Sequence, residues 1–239
     1  MGQRRMLNGA TIVFDIDGTL IDTAPDLTNA LNHALMARGR EPLPAASVRA
    51  AVGRGARVMI ERALAFTAAE EDVEAMLADF LVHYEANIAA ESRPFPGAIA
   101  VLERLTAAGA KLAVCTNKRE HLTRLLLQAL EIEYFFGGIA GRDTFEVSKP
   151  DPGHLLGAIA LTDGDPSRAV MIGDSAVDIQ AARGASVPSI LVDFGYCPPP
   201  PEGPQPDAVI GHFDALEENA LELLTPLTDK ASTPSYSGR

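Results

Sequence analysis

Residues 11–20 read Thr-Ile-Val-Phe-Asp-Ile-Asp-Gly-Thr-Leu, an apolar run that ends in two aspartates, Asp15 and Asp17. The β-branched, apolar start predicts a strand that is buried on both faces, as in a parallel sheet. Two carboxylates at the tip of a buried strand destabilise a fold unless a cation lies beside them. Open α/β sheets bind their ligands at this same edge. The stretch therefore predicts a parallel sheet with a ligand site at its edge.

Similar short apolar runs recur later in the chain and alternate with helical patterns. They predict strands over residues 111–115, 169–172, 187–192 and 208–210. Helical patterns cover residues 98–108, 121–130, 152–161 and 175–183. Because strands that alternate with helices form parallel sheets with helices on both faces, we expect an α/β fold with a Rossmann-like core.

The stretch between the first strand and residue 94 shows helical patterns without a strand pattern. Helices are expected over residues 25–38 and 48–66, and over a third segment that starts at a capping pair formed by Thr67 and Glu70. We therefore expect a helical cap inserted after the first strand of an α/β core domain. The predicted divisions are 1–21 and 95–229 for the core, 22–94 for the cap and 230–239 for a disordered tail.

The composition restricts the class of partner. Asp and Glu number 32 against 20 Lys and Arg, for a formal net charge of −12, which argues against binding to nucleic acids or to anionic membranes. Two cysteines, Cys115 and Cys197, are typical of a reduced cytoplasmic protein, and no apolar stretch is long enough to span a bilayer. We expect a cytoplasmic protein that acts on a small molecule. Whether it is a monomer or a homodimer stays open.

Polar side chains also follow the later strands. Thr116 and Asn117 come directly after the second predicted strand, Asp174 follows the third, and Asp178 lies one helical turn further on. Lys149 precedes a predicted helix. Since the carboxyl ends of parallel strands point to one edge, these residues should meet Asp15 and Asp17 there. Carboxylates that converge in this way repel one another, and a hard divalent cation with oxygen ligands, Mg²⁺ above all, relieves the repulsion.

Four segments carry a family resemblance. Asp-Ile-Asp-Gly-Thr-Leu-Ile-Asp from residue 15, Cys-Thr-Asn-Lys from residue 115, Ser-Lys-Pro-Asp-Pro from residue 148 and Gly-Asp-Ser-Ala-Val-Asp from residue 173 occur in this order. They resemble the four motifs of the haloacid dehalogenase superfamily of phosphatases. The resemblance implies a Mg²⁺-dependent phosphomonoester hydrolase that works through an aspartyl-phosphate intermediate.

The resemblance also implies a role for each motif residue. Asp15 would be the nucleophile and a metal ligand, and Asp17 would be the general acid and base, with its backbone carbonyl on the metal. Asp174 would bind the metal directly, and Asp178 would act from the outer layer around the ion. The phosphoryl oxygens would be bound by four residues, namely Thr116, Asn117, Lys149 and Gly18.

The cap sequence bears on the substrate. Residues 51–64, with their Gly53-Arg54-Gly55 turn, are similar to the corresponding segment of bacterial phosphoglycolate phosphatases. The resemblance implies 2-phosphoglycolate as the substrate, with the backbone of the turn and the Arg54 side chain binding its carboxylate. Two alternatives stay open, namely a phosphatase for another small phosphate ester and a phosphomutase of the β-phosphoglucomutase type.

Some polar residues are not assigned to the site. Lys118 and Arg119 are expected to form a solvated helix start or, alternatively, to shape the entrance. The five histidines, His154 among them, have no partner at metal-ligand spacing and are expected at the surface or on helix faces.

Overall fold

The computed structural model describes residues 7–67, 72–198 and 202–225. Its strands are β1 (Thr11–Phe14), β2 (Ile21–Asp22), β3 (Arg93–Pro94), β4 (Lys111–Cys115), β5 (Gly138–Ala140), β6 (Ala169–Gly173), β7 (Ser189–Val192) and β8 (Ala208–Ile210). Its α-helices are α1 (Ala24–Met36), α2 (Ala45–Arg49), α3 (Ala56–Thr67), α4 (Val73–Ala86), α5 (Ala98–Ala107), α6 (Glu120–Ala129), α7 (Pro152–Ala160), α8 (Ala176–Gly184) and α9 (Leu216–Leu224). The predicted tail, residues 230–239, lies outside the described residues.

Six strands form one parallel sheet in the order β5-β4-β1-β6-β7-β8. The first strand is central, because Phe14 pairs with Val114 of β4 on one side and with Ile172 of β6 on the other. This arrangement confirms the predicted α/β fold with a Rossmann-like parallel core. Strand β5 was not predicted, since its sequence Gly-Ile-Ala is short and two of its three residues are weak strand formers.

The two faces of the sheet pack into separate hydrophobic clusters, as the alternation of side chains along a strand requires. Ile12 and Phe14 of β1 lie in the cluster that α5, α6 and α9 cover. Val13 lies in the opposite cluster, which α7 and α8 cover. Burial on both faces fixes the position of β1, and with it the position of the acidic residues that follow.

The described part of the segment between β1 and α5 contains four helices, α1 to α4, with a hydrophobic cluster of their own that Leu122 of α6 joins. It is framed by an antiparallel pair, β2 and β3, in which Ile21 pairs with Pro94. This two-residue pair is too short to leave a sequence pattern. The proposed division of the chain into core and cap at these positions stays a prediction.

Two predictions for the helical segment were wrong in detail. The single helix expected over 48–66 is interrupted between α2 and α3, where Gly53 and Gly55 have φ angles of 96° and 89°. Glycine adopts such positive φ values without the steric cost that other residues incur, so the pair ends one helix and starts the next. The next helix, α4, begins at Val73 and not directly after Thr67, and it is capped by Asp72, whose side chain accepts from the backbone N–H groups of Glu74 and Ala75. Glu70 lies outside the described residues.

Among residues 7–67, 72–198 and 202–225, no helix has the length and apolar character needed to cross a membrane.

Candidate active site

The sequence-predicted residues meet at the carboxyl edge of the parallel sheet. Asp15 follows β1, Thr116 follows β4 and Asp174 follows β6, and these three strands are neighbours. Lys149 reaches the same edge from the loop before α7. All four residues are buried. Strand order therefore brings together side chains that are separated by up to 159 positions, from residue 15 to residue 174.

Lys149 is the cation in the centre of this cluster. Its Nζ lies 3.0 Å from Asp15 Oδ1 and 2.6 Å from Asp178 Oδ1. Burial disfavours the charged form of Lys149, but the two carboxylates outweigh this and raise its pKa above the usual value. Burial also raises the pKa of Asp15 to about 6, against the opposing effect of Lys149. The pair is a charge-assisted contact that orients Asp15 at the sheet edge.

Three buried aspartates, Asp15, Asp174 and Asp178, offer carboxylate oxygens that all lie within 4.8 Å of one another. Burial raises the pKa of Asp174 to about 8, and the charges of Asp178 and Asp15 add to this shift. The raised pKa values of Asp15 and Asp174 show that one lysine does not balance three ionised carboxylates in this buried cluster. A donor set made only of oxygen atoms fits a hard divalent cation such as Mg²⁺.

Asp178 and Asp174 differ in how many of their oxygens are already occupied. Asp178 Oδ1 accepts from Lys149, and its Oδ2 accepts from Ser175 N at 3.1 Å and Ser175 Oγ at 2.5 Å. Asp174 Oδ2 accepts from the backbone N–H of Tyr196 at 2.7 Å, whereas within the described residues Oδ1 accepts a single hydrogen bond, from Thr19 Oγ1 at 3.5 Å. Oδ1 of Asp174 is therefore more available to a metal ion than either oxygen of Asp178.

Gly18 has a structural part in the site that differs from the predicted one. Its backbone N–H donates to Ile21 O at 3.0 Å and is therefore not free for a phosphoryl oxygen. Its φ is +85°, and a Cβ at this position would lie 2.5 Å from Asp174 Oδ2. Glycine is needed here because the loop after β1 passes directly against Asp174.

Thr116 and Asn117 lie on the loop that follows β4. The side chain of Asn117 links this loop to two others, because Nδ2 donates to Gly53 O at 3.2 Å and to Lys149 O at 3.1 Å. Its Oδ1 is buried without a hydrogen-bond partner in the described parts of the chain. Asn117 thus connects the sheet edge to the turn between α2 and α3.

Lys118 is not solvated, contrary to the first of the two expectations for it. Its side chain is 5% exposed, and Nζ lies 2.9 Å from Asp17 Oδ1 and 3.0 Å from Asp17 Oδ2. Asp17 Oδ1 also accepts from Thr23 Oγ1 at 2.7 Å. No local pattern predicts this ion pair, because Lys118 and Asp17 are 101 positions apart in the chain.

A cavity opens between the sheet edge and the helical segment. It is lined by Asp15, Asp17, Thr116, Asn117 and Lys118 from the sheet side, and by Gly53 and Gly55 from the turn between α2 and α3. Arg54 is exposed and does not line the cavity. Its backbone carbonyl faces Arg142 Nη1 at 3.5 Å. The structure thus brings the glycines of the predicted turn to the site but not the Arg54 side chain.

His154 was expected at a surface or on a helix face, and it is fully buried beneath the lysine loop. Its Nδ1 accepts from the backbone N–H of Lys149 at 3.2 Å, and its Nε2 donates to Gly141 O at 3.0 Å. Burial, with the charge of Lys149, lowers the pKa of His154 to about 4. The neutral imidazole supports the backbone that carries Lys149.

The fold and the site define the class of protein. Residues 10–186 match the model of the haloacid dehalogenase-like hydrolases, and the chain belongs to this family. The names of similar curated proteins are narrower than the name of the family. A phosphoglycolate phosphatase of Caulobacter vibrioides is 49% identical over 222 residues, which cover 92% of this chain and 94% of that protein. A phosphoglycolate phosphatase of Agrobacterium fabrum is 46% identical, over 89% of this chain and 92% of that protein.

A solved structure has a similar fold. The crystal structure of a predicted phosphoglycolate phosphatase from Haemophilus somnus superposes with a TM-score of 0.81 at 27% identity, and the match covers 88% of this chain and 97% of that one.

Proposed function

We propose that this protein is a Mg²⁺-dependent phosphomonoester hydrolase that cleaves 2-phosphoglycolate to glycolate and phosphate through an aspartyl-phosphate on Asp15. The observation that carries the proposal is the contact of Lys149 with Asp15, which belongs to a cluster of three buried aspartates and itself lines the cavity. The substrate is taken from the relatives, since the phosphoglycolate phosphatases of Caulobacter vibrioides and Agrobacterium fabrum match over most of the chain.

In the proposed reaction, a carboxylate oxygen of Asp15 attacks phosphorus. A bond from Asp15 to phosphorus forms, and the bond from phosphorus to the ester oxygen breaks. Asp17 gives a proton to the departing glycolate oxygen and then takes a proton from the water that attacks the phosphorus atom. That second attack breaks the bond to Asp15 and releases inorganic phosphate. Asp17 lines the same cavity as Asp15, which supports this division of roles.

Lys149 and the loop after β4 are proposed to hold the phosphoryl group. Lys149 supplies a fixed positive charge beside Asp15, and Thr116 with the backbone N–H of Asn117 supplies hydrogen-bond donors. Phosphoryl transfer depends on such positioned donors and charges, since the transition state spreads negative charge over the phosphoryl oxygens.

Asp15, Asp174 and the backbone carbonyl of Asp17 are proposed to hold the metal ion. Asp178 is proposed to act from the outer layer, in keeping with the protein donors that already bind both of its oxygens. Mg²⁺, when bound, offsets the negative charge of the carboxylates and of the phosphoryl group.

The test is release of inorganic phosphate by the purified protein from 2-phosphoglycolate and from a panel of other small phosphate esters, with Mg²⁺ and with excess EDTA. The proposal expects the highest kcat/KM for 2-phosphoglycolate and no turnover in EDTA. Full activity in EDTA would contradict the metal assignment. A requirement for a sugar bisphosphate, or a higher kcat/KM for another ester, would contradict the proposed reaction.

A further inference from the structure

Lys118 is a buried ammonium group on the wall of the cavity, and none of the roles proposed above requires it. Besides Asp17, it contacts the ring of Tyr84, because Nζ lies 4.7 Å from the ring centroid. Burial disfavours a charged lysine, and the contacts with one carboxylate and one aromatic face compensate for it. Because Asp17 and Tyr84 also line the cavity, their contacts keep the ammonium group charged at a place where a ligand can reach it.

The other basic side chains that line the cavity are exposed. Arg57 pairs with Glu74 at its rim, and both Arg119 and Arg142 are exposed. The helical side of the cavity is largely apolar, with lining residues Leu27, Val52, Met59, Leu77, Phe80 and Leu81. Within the described lining, Lys118 is therefore the buried cation available to an anionic group of a ligand.

The position of Lys118 relative to Asp17 fits a short substrate. Asp17 is proposed to contact the ester oxygen, and Nζ of Lys118 lies 2.9 Å from Asp17 Oδ1. In 2-phosphoglycolate a single methylene separates the ester oxygen from the carboxylate. An ammonium group has three N–H donors, so it can serve Asp17 and a substrate carboxylate together.

We propose that Lys118 binds the carboxylate of the substrate and makes the enzyme selective for phosphate esters with an anionic group one carbon from the ester oxygen. This inference rests on the proposed function. In this inference the carboxylate-binding residue is Lys118 and not Arg54, because the Arg54 side chain does not line the cavity.

The experiment compares Lys118→Met with wild type on two substrates of nearly equal size, 2-phosphoglycolate and 2-hydroxyethyl phosphate, which has an alcohol in place of the carboxylate. Loss of one charge-assisted hydrogen bond in a buried site should lower the ratio of the two kcat/KM values at least about tenfold, mainly through KM for 2-phosphoglycolate. Lys118→Arg, which keeps the charge, should retain most of the ratio. Arg54→Met is the matched control and should leave the ratio unchanged.

Three outcomes would overturn the inference. In the first, Lys118→Met lowers kcat/KM equally for both substrates, which would mean that Lys118 acts through Asp17 alone. In the second, Arg54→Met and not Lys118→Met changes the ratio. The third outcome is measured on wild type with a series of substrates in which methylenes are added between the phosphate and the carboxylate. The value of kcat/KM should fall along this series, because the carboxylate contact lies beside Asp17. A kcat/KM that stays constant along the series would contradict the inference.

Failure of the proposed function is separate and visible in wild type alone. If wild type hydrolyses neither substrate, or prefers the neutral ester, then the proposed function is wrong whatever the variants do. Far-ultraviolet circular dichroism and thermal melting of each variant establish that it is folded before its kinetics are compared.

Discussion

The hydroxyl group of Tyr196 donates a hydrogen bond to Asp22 Oδ1 at 2.5 Å. The same hydroxyl accepts from the backbone N–H of Ala24 at 3.0 Å, at the start of α1. The backbone N–H of Tyr196 donates to Asp174, so one residue of the loop after β7 connects a proposed metal ligand to the first connection of the helical segment. Arg49 lies over the Tyr196 ring at 5.5 Å and pairs with Asp22.

Replacing Tyr196 with Phe should test this connection. The change removes the hydroxyl from Asp22 Oδ1 and from the N–H of Ala24, which should lower the free energy of unfolding by about 1–3 kcal/mol. Urea unfolding followed by circular dichroism measures the difference. Tyr134→Phe is the matched control, because Tyr134 is 76% exposed and its loss should have little effect. Equal stability of Tyr196→Phe and wild type would mean that the connection adds nothing to the fold.

Asp15→Asn should remove phosphatase activity by at least about a thousandfold, because an amide is a poor nucleophile at phosphorus. The fold should persist, since the amide is isosteric and Lys149 keeps Asp178 at 2.6 Å. Asp79→Asn, at a half-exposed aspartate that pairs with Arg38, should leave turnover unchanged. Phosphate release measures activity, and acid quenching followed by mass spectrometry locates the covalent phosphate. An adduct on another residue would refute the assignment of the nucleophile.

The two aspartates around α8 should differ in their effect on Mg²⁺. Asp174→Asn should raise the Mg²⁺ concentration for half-maximal rate by at least about a hundredfold, and Asp178→Asn by about tenfold, if Asp178 acts from the outer layer. The prediction follows from the protein donors that bind both Asp178 oxygens. Activity titrations in Mg²⁺ after EDTA treatment give the two values. The opposite order would make Asp178 the direct ligand.

His154 should make stability depend on pH. Its pKa is about 4 in the folded protein against an ordinary value of 6.5, so between these pH values the unfolded chain binds a proton that the folded chain does not. Stability is therefore intact above pH 6.5 and falls as the pH is lowered towards 4, by up to about 1.4 kcal/mol per pH unit. Among the groups around His154, Cys115 has a pKa of about 12 and the pKa of Lys149 is raised, so neither titrates in this range, and Asp151 is present in both wild type and the variant compared below.

The measurement is urea unfolding of wild type and His154→Gln at pH 7.5 and pH 5. Gln keeps an acceptor and a donor but does not titrate, so wild type should lose about 2 kcal/mol more than the variant between these two pH values. The carboxylates are the same in wild type and the variant, so their contribution to the pH dependence cancels in this difference. His121 is exposed and lies beside Glu85, so the stability of His121→Gln should change with pH by the same amount as that of wild type. A difference between wild type and His154→Gln that does not change with pH would contradict the neutral, buried imidazole.

Much of the fold was predictable from local patterns. The apolar runs at β1, β4, β6, β7 and β8 are long enough to be recognised, and their alternation with helices determines a parallel sheet. Strand β5 and the β2–β3 pair were missed because three-residue and two-residue strands carry almost no periodicity. The helical pattern over residues 48–66 extends across the Gly53-Arg54-Gly55 turn that the sequence also indicated, and the positive φ angles of Gly53 and Gly55 make this turn the break between α2 and α3.

The proposed site divides in the same way. Asp15, Lys149, Asp174 and Asp178 stand next to strand ends and helix starts in the sequence, and the rule that parallel strands share one ligand edge predicts that they lie together. The rule of the shared ligand edge does not predict the hydrogen-bond partners of Lys118, His154 and Tyr196. Lys118 meets Asp17 across 101 positions and Tyr196 meets Asp22 across 174, and no spacing rule connects such pairs.

The sequence by itself determined the alternation of the longer strands with helices, the acidic cluster and the family, because each depends on local periodicity or on short motifs. Tertiary structure alone decided which charged and polar side chains are buried, which of them face the cavity, and that Lys118 does so while Arg54 does not. The physical reason is that the free energy of a charge depends on its desolvation and on its nearest opposite charge, and both are set by residues that are distant in the chain.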